Sequence, residues 1–137
     1  MIKAKHIMTT DVVSVTKETP VYEAGELLVK NDITGMPVVD EDMTLVGVIS
    51  EKDLLRLFYA DEDQKKKPVD AFMTQPAVYY REDDSLKTII DFMLINYFRR
   101  VPVTSKDGKL VGIISRPDVL EHLLQLRRSE LSVGSSR

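Results

Sequence analysis

The stretch that decides the fold is LVGVISEKD at residues 45–53, because the chain repeats it as LVGIISRPD at residues 110–118. The two copies lie 65 residues apart. Sliding the sequence against itself by that distance gives 14 identical pairs over residues 8–56 without a gap, and many of the other pairs match one apolar residue with another. Such a register is typical of a duplicated structural unit. We therefore expect two similar halves in tandem.

Each half predicts the same order of elements, which is strand, helix, strand, strand, helix. The helices carry apolar residues at helical spacing after Pro20, Ser50, Ser85 and Ser115. The strands are short runs rich in β-forming residues, at 12–15, 36–39, 45–49, 77–80, 101–104 and 110–114. A half of this size is marginal alone, so the halves should bury their apolar faces against each other. We predict an α+β fold of two β-α-β-β-α repeats packed as a pseudo-two-fold pair, with small sheets flanked by helices and a cleft on either side of the contact.

The repeat also sets the expected domain boundaries. We assign residues 1–59 to the first repeat, together with the N-terminal segment, and residues 69–128 to the second. Residues 60–68 are charged and end in proline, which is typical of an exposed linker. Residues 129–137 end in SVGSSR, which predicts a flexible tail. Two repeats, a linker and a tail account for the 137 residues, so we expect no attached effector domain.

Composition narrows the function classes. The chain has no cysteine, which excludes disulfides, thiolate nucleophiles and cysteine-based metal sites. Its two histidines do not stand at metal-ligand spacing, so we expect no metal site. The 22 acidic residues exceed the 19 lysines and arginines, which disfavours nucleic acid as a partner. No apolar run approaches the roughly 20 residues that cross a bilayer, and the basic N-terminus lacks the apolar region of a signal peptide. We therefore expect a cytoplasmic protein that does not enter membranes.

The repeated corner offers two interpretations. Ser50 and Asp53, like Ser115 and Asp118, stand at the spacing of a helix capping box, in which the serine and the acid satisfy free backbone N–H groups. The same geometry can bind a ligand. A serine and free helix N–H groups can meet a phosphate, and an acid one turn along can accept hydrogen bonds from two ribose hydroxyls. A glycine three residues before the serine permits close approach of a ligand or of another backbone.

Several strings recur in both halves in the same order. They are Met8-Thr9 and Met73-Thr74, GMPVVD at residues 35–40, RVPV at residues 100–103, and two corners of the form Gly-x-x-Ser-x-x-Asp. Each is weak alone, but together they resemble a tandem pair of CBS domains, the regulatory pair called a Bateman module. The resemblance covers residues 4–126. It implies a regulatory module that requires no cofactor and senses an adenosine-containing ligand such as AMP, ADP, ATP or S-adenosylmethionine.

The resemblance also implies roles for individual residues. The corner acids Asp53 and Asp118 would hold the ribose hydroxyls, and the corner serines would lie near ribose or phosphate, at Ser50 and Ser115. The adenine would lie against the first strand and the second-strand entry of the opposite repeat. At the Asp53 site these residues are Ala77, Val78 and Pro102. At the Asp118 site they are Val12, Val13 and Pro37.

Phosphate recognition separates the two sites. In the family, basic residues just before the second strand often face phosphates, which implies that Arg99 and Arg100 lie beside the Asp53 site. Arginine binds phosphate through paired hydrogen bonds, although two arginines at a helix end are also typical of a solvated pair favoured by the helix dipole. The candidates at the other site are Thr34, Arg116 and His6. We expect the two clefts to differ in affinity or in the number of phosphates they accept.

Several functions remain open from the sequence. The first is a nucleotide-sensing module that signals to a separate effector protein and dimerises with a second copy through its apolar helices. The alternative is a protein-interaction or dimerisation module with empty clefts, or a module that binds S-adenosylmethionine or, less in keeping with its acidity, nucleic acid through arginines and aromatic residues. We expect no enzymatic activity, because no nucleophile with a base partner can be recognised.

Overall fold

The computed structural model describes residues 1–135, with side chains up to residue 131. The helices are α1 (Ala4–Ile7), α2 (Val21–Asn31), α3 (Glu51–Leu55), α4 (Glu62–Lys65), α5 (Leu86–Ile95) and α6 (Arg116–Ser135). The strands are β1 (Val15–Thr16), β2 (Gly35–Val39), β3 (Leu45–Ser50), β4 (Tyr80–Arg81), β5 (Arg100–Thr104) and β6 (Leu110–Ser115). Two short 3-10 helices cover Arg56–Tyr59 and Val69–Ala71.

Each half builds one mixed sheet of three strands. β1 runs parallel to β2 and β2 antiparallel to β3, and β4, β5 and β6 repeat that arrangement. The registers are equivalent, since Val38 pairs with Gly47 in one sheet and Val103 pairs with Gly112 in the other. Each sheet buries its apolar side chains in a core of its own half. The expected α+β fold of two small sheets flanked by helices is confirmed.

The first strand of each half is shorter and later than predicted. The sequence favours strands at 12–15 and 77–80, but β1 and β4 have only two residues each and begin at Val15 and Tyr80. β-forming residues become a strand only where a neighbouring backbone edge can pair with them. β2 and β5 offer that edge only to the last residues of each run, and Val12 and Val13 lie along a cleft instead.

The leading segments of the two halves are exchanged. The Ala4 N–H donates to the Asp84 carbonyl at 2.8 Å, and Ala4 is fully buried in the core of the second half. Correspondingly, the Val69 N–H donates to the Thr19 carbonyl at 2.8 Å, and Val69 is fully buried in the core of the first half. The N-terminal segment, which the sequence groups with the first repeat, therefore packs on the core of the second half. A sequence register aligns the two leading segments but does not say which core receives each of them.

The corner glycines accommodate these exchanged segments. Thr74 exchanges two backbone hydrogen bonds with Val48, at 2.8 and 3.0 Å, and Thr9 exchanges two with Ile113, both at 2.9 Å. A Cβ atom at Gly47 would lie 2.8 Å from the Thr74 carbonyl oxygen. From the sequence, this glycine could permit the close approach of either a ligand or another backbone, and the structure shows another backbone there.

The hairpin turns tie the two halves together directly. The Leu45 N–H donates to the Gly108 carbonyl at 3.1 Å, and the Leu110 N–H donates to the Met43 carbonyl at 2.9 Å. Lys109 Nζ lies 2.6 Å from Asp42 Oδ2 across the same contact. Hydrogen bonds to Asp42, with that ion pair among them, hold its pKa below the usual range. Gly108 has a φ of +80°, which fits the turn that Asp107-Gly108 predicts.

The linker and the tail both contain helix. Residues 60–68 contain α4, whose capping box joins Asp61 and Gln64. α6 continues as far as Ser135, so residues 129–135 are helical and differ from the flexible tail that the sequence predicts. The sequence from Glu121 to Ser132 contains no proline or glycine, so nothing stops the helix at residue 128. Residues 136–137, the end of the expected tail, lie outside the described residues.

Candidate functional site

The two Gly-x-x-Ser-x-x-Asp corners cap helices as their spacing predicts. Asp53 Oδ2 accepts a hydrogen bond from the Ser50 N–H at 3.0 Å, and the Asp53 N–H donates to Ser50 Oγ at 3.2 Å. Asp118 and Ser115 repeat these contacts at 2.9 and 3.3 Å. The capping interpretation is confirmed at both corners. It leaves open what the remaining carboxylate oxygens do.

Around Asp118 the halves enclose a cavity of about 230 Å³. It brings together four predicted site residues from both halves, Val12, Val13, Ser115 and Asp118. Arg100 lines the same cavity, although the resemblance had implied a place beside Asp53 for it. Asp118 is half-buried, and its Oδ1 forms no hydrogen bond with any described residue. This cavity is therefore lined by a carboxylate, two valine side chains and a guanidinium group.

A second cavity of about 330 Å³ adjoins the first, since Arg100 and Ser115 line both. Thr34, Arg99 and Arg116 also line it. Arg99 and Arg100 are exposed and form no ion pair with any described residue. Three guanidinium groups around one cavity attract anions, and phosphates above all, because the arginine fork matches their oxygens.

Arg116 is held in place within this cationic cavity. Its Nη2 donates to the Asn96 carbonyl at 3.2 Å, and its guanidinium carbon lies 4.6 Å from the centre of the Tyr97 ring. A cation above an aromatic face is attracted by the ring quadrupole. Its Nε is buried without a hydrogen-bond partner among the described residues. Arg116 is thus oriented by the protein and keeps donor capacity for a ligand.

Some of the remaining predicted site residues line a larger cavity between the halves. The others line neither that cavity nor the two described above. The cavity of about 640 Å³ brings together Ser50, Pro37, Pro102 and the two arginines at 99 and 100. Asp53, Ala77 and Val78 line none of the three cavities. His6 lies on α1, where its Nδ1 accepts a hydrogen bond from the Lys3 N–H at 2.9 Å.

Asp53 differs sharply from its counterpart Asp118. Only 4% of its side chain is exposed. Besides the Ser50 N–H, its carboxylate accepts hydrogen bonds from Ser50 Oγ at 3.0 Å and from Thr74 Oγ1 at 3.3 Å. Arg56 Nη1 lies 3.6 Å from its Oδ1. The two corners are similar in sequence, but both oxygens of the Asp53 carboxylate have partners, whereas Oδ1 of Asp118 has none among the described residues.

Sequence reasoning missed Arg56 and Thr74 as partners of Asp53. The repeat register could have revealed Arg56, because the equivalent residue of the second repeat is Glu121, which cannot form an ion pair with an aspartate. Thr74 carries no such signal, because Thr9 is identical to it in register. Its contact with Asp53 follows from the exchange of the leading segments.

Two absences among the described residues bear on the site. No group of three or more histidine, aspartate or glutamate side chains in the described part of the chain could hold a metal ion. Within the same range, none of the helices combines the length and apolar character needed to cross a membrane.

Comparisons with known proteins identify the family. The CBS domain model matches residues 4–60 and 69–125. The chloroplastic CBS domain-containing protein CBSX1 of Arabidopsis thaliana is 37% identical over 138 residues, which cover 81% of this chain and 58% of that protein. This chain therefore spans less than two thirds of that relative's length.

Solved structures of CBS pairs have the same fold. A crystal structure of CBSX2, from the same plant, in complex with AMP has 37% identity and a TM-score of 0.82, and the match covers 93% of this chain and 99% of that one. The CBS domain pair of MJ0100, crystallised with 5'-methylthioadenosine and S-adenosyl-L-methionine, has 26% identity and a TM-score of 0.71, with 93% and 98% covered. The chain belongs to the CBS domain family, as a tandem pair of CBS domains.

Proposed function

We propose that this CBS pair is a regulatory module that binds an adenine nucleotide between its two repeats. The observation that carries the proposal is that Asp118, whose Oδ1 has no hydrogen-bond partner among the described residues, lines a cavity adjoining one lined by three arginines. A nucleotide needs these three surfaces together: an apolar wall for the base, an acceptor for the ribose hydroxyls, and cations for the phosphates. The AMP complex of CBSX2 supports the ligand class.

The proposed pose follows from the order of the cavities. Asp118 and Ser115 bind the ribose, and adenine lies against the wall formed by Val12 and Val13. The phosphates extend into the adjoining cationic cavity, where Arg99, Arg100 and Arg116 meet them, with Thr34 at its wall. Hydrogen bonds between charged partners are roughly twice as strong as those between neutral ones. Pro37 and Pro102 line the neighbouring central cavity and limit where the base can lie.

Charge favours AMP, ADP or ATP over S-adenosylmethionine. The methyl donor carries a positive sulfonium and no phosphate, so it would place a cation near three guanidinium groups. A nucleotide places negative charge there. The complex of MJ0100 with S-adenosylmethionine keeps the methyl donor as the alternative ligand.

Signalling would arise because the ligand contacts both halves at once. Val12 and Val13 belong to the first repeat, and Asp118 and Arg100 to the second. A ligand shifts the packing of the halves only by as much as its affinity differs between the two arrangements. The module would pass that change to a separate effector protein, and we propose neither a catalytic activity nor a cofactor for it.

Apolar side chains on the helical surface support a homodimer with a second copy. They occupy register-equivalent positions of the two repeats, which gives the face the same pseudo-two-fold symmetry as the fold. They are, with their exposures, Val29 (84%), Leu55 (73%) and Phe58 (83%) in the first repeat and Leu94 (80%), Leu120 (57%) and Leu123 (40%) in the second. Exposed apolar area of this kind is typical of an interaction surface. The same face favours the second candidate function, a dimerisation module that binds no ligand.

The location in the cytoplasm stays a prediction. CBSX1 and CBSX2 are chloroplastic by name, so the compartment of this chain needs its own measurement. Fractionation of cells that produce the tagged protein would provide it.

A thermal-shift screen with AMP, ADP, ATP and S-adenosylmethionine tests the proposed function. At a ligand concentration 100 times the dissociation constant, mass action stabilises the folded state by about 2.7 kcal/mol. We expect stabilisation by at least one adenine nucleotide and a smaller shift with S-adenosylmethionine. A chain that none of the four ligands stabilises at millimolar concentration would instead be the ligand-free interaction module.

A further inference from the structure

We propose that the two register-equivalent corners have different tasks: Asp118 binds the ribose, whereas Asp53 is a structural residue that holds the α3 corner to the segment leading into the second repeat. This inference rests on the proposed function and narrows it to one nucleotide per chain. It departs from the expectation that both corner acids bind ribose.

The Asp53 carboxylate has three hydrogen bonds and an ion pair within the chain. Oδ2 accepts from the Ser50 N–H and from Ser50 Oγ, and Oδ1 lies 3.3 Å from the Thr74 hydroxyl and 3.6 Å from Arg56 Nη1. An ionised carboxylate offers about four acceptor positions, and three hydrogen bonds leave at most one, which the Arg56 guanidinium faces, so two ribose hydroxyls cannot both bind beside these partners. A ligand would have to displace the Thr74 contact, and with it a tie between α3 and the exchanged segment at residues 73–74.

The Asp118 carboxylate has fewer hydrogen-bond partners than that of Asp53 among the described residues. Only the Ser115 N–H bonds to it among the described residues, at Oδ2, and Asp118 lines the cavity of about 230 Å³. Glu121 replaces Arg56 in the register, and it pairs with Arg128 at 3.5 Å instead. A half-buried carboxylate with an unbonded oxygen gains from hydroxyl donors, which a ribose supplies.

The two repeats also contribute different charges at register-equivalent positions. In the second repeat, cations precede β5 and begin α6, whereas the equivalent positions of the first repeat are neutral or acidic. The pairs in register are Thr34 with Arg99, Gly35 with Arg100, and Glu51 with Arg116. A phosphate beside Asp53 would meet the Glu51 carboxylate where a phosphate beside Asp118 meets the Arg116 guanidinium. Arg99 and Arg100 line the cavity beside Ser50 as well as the one beside Ser115, so it is Arg116 in place of Glu51 that favours the Asp118 corner for a phosphate.

Isothermal titration calorimetry of the whole chain with AMP tests this division. We expect one AMP per chain. Asp118→Asn keeps an oxygen for the helix cap but loses the charge, so AMP affinity should fall at least tenfold while the melting temperature changes little. Asp53→Asn should leave AMP affinity within twofold and lower the melting temperature.

Arg56→Ala provides a second test that does not depend on changing a buried residue. If Asp53 bound ribose, removing Arg56 would free its Oδ1 and produce tighter binding or a second site. We expect the same AMP affinity and stoichiometry as in Arg127→Ala, a matched control that removes one arginine charge from exposed α6.

The results of these experiments distinguish a failure of this inference from a failure of the proposed nucleotide-binding function. Two AMP molecules per chain, a tenfold loss in Asp53→Asn, or a second site in Arg56→Ala would overturn the division of tasks and leave nucleotide binding intact. No AMP binding by the wild-type chain, together with no binding of ADP or ATP, would overturn the proposed function and this inference with it.

Discussion

Gly47→Ala perturbs the contact that joins the two repeats at the corner. The added Cβ would lie 2.8 Å from the Thr74 carbonyl oxygen and 2.8 Å from Met73 Sδ. The methionine sulfur can rotate away, but the carbonyl belongs to a backbone that exchanges two hydrogen bonds with Val48. The segment at residues 73–74 must therefore move away from β3.

The expected cost follows from these contacts. Overpacking of this kind costs about 1–3 kcal/mol, and weakening two backbone hydrogen bonds adds about 1 kcal/mol each. Alanine recovers about 0.4–1 kcal/mol by restricting the unfolded chain. We expect Gly47→Ala to lower the free energy of unfolding by about 3 kcal/mol, measured by urea denaturation at 25 °C.

Gly25→Ala is the matched control for this substitution. Gly25 lies inside α2, and a Cβ there would meet only Leu54 Cδ1 at 3.6 Å, an ordinary van der Waals contact. Replacing an interior helical glycine by alanine stabilises by about 0.5–1 kcal/mol. The two substitutions should therefore have opposite signs. If Gly47→Ala is as stable as the wild type, the close approach of the exchanged segment to β3 is refuted.

Three further predictions follow from the structure. Burial, with a smaller contribution from Asp84, raises the pKa of Tyr80 to about 12, so a spectrophotometric titration should show one late tyrosinate that disappears in Tyr80→Phe. The pKa of tyrosine in the unfolded chain is about 10, so protonated Tyr80 stabilises the fold fully below pH 10. This contribution, at most about 2.7 kcal/mol for two pKa units, should be lost as the pH rises from 10 to 12. A free energy of unfolding that stays constant over that range would contradict the raised pKa. A side-chain hydrogen bond with Asp40, followed by those from Lys109 and Thr44, lowers the pKa of Asp42, so its contribution is present above about pH 4 and lost on acidification. Asp42→Asn should remove that part of the acid dependence in urea melts, and no change would mean that these contacts together contribute nothing to stability. Asp83→Asn should cost less than about 1 kcal/mol in thermal melts, because the Lys3 and Lys5 partners are exposed, and a larger loss would give this ion pair a greater part in docking α1.

The repeat register predicted the elements well where local chemistry decides them. Ser50 and Ser115 carry the signals of a helix start, and both cap a helix. Asp107-Gly108 predicts a tight turn, and Gly108 has the positive φ that such a turn requires. These features depend on a few neighbouring residues, so the sequence alone contains the information.

Features that depend on distant contacts could not be predicted in this way. The register aligns α1 with the segment at Val69–Ala71 but is silent on which core receives each, and the structure exchanges them. For the same reason the sequence placed Arg100 at one cleft. In the structure Arg100 begins β5 between the halves and lines three cavities, including the one around Asp118. The inequality of the two corners arises from such contacts, since Asp53 meets Thr74 only after the chain crosses between repeats.

The central claim is that the phosphate of an adenine nucleotide is bound by the arginines beside Asp118. A calorimetric comparison of AMP with adenosine, in the wild type and in Arg100→Ala, tests it most directly. Arg81→Ala is the matched control, because Arg81 is exposed in β4 and lines none of these cavities. We expect Arg100→Ala to weaken AMP binding at least tenfold and adenosine binding less than twofold, since hydrogen bonds to charged groups contribute about 1.5–3 kcal/mol. Equal weakening of both ligands, or an AMP affinity that matches that of Arg81→Ala, would mean that Arg100 does not bind the phosphate.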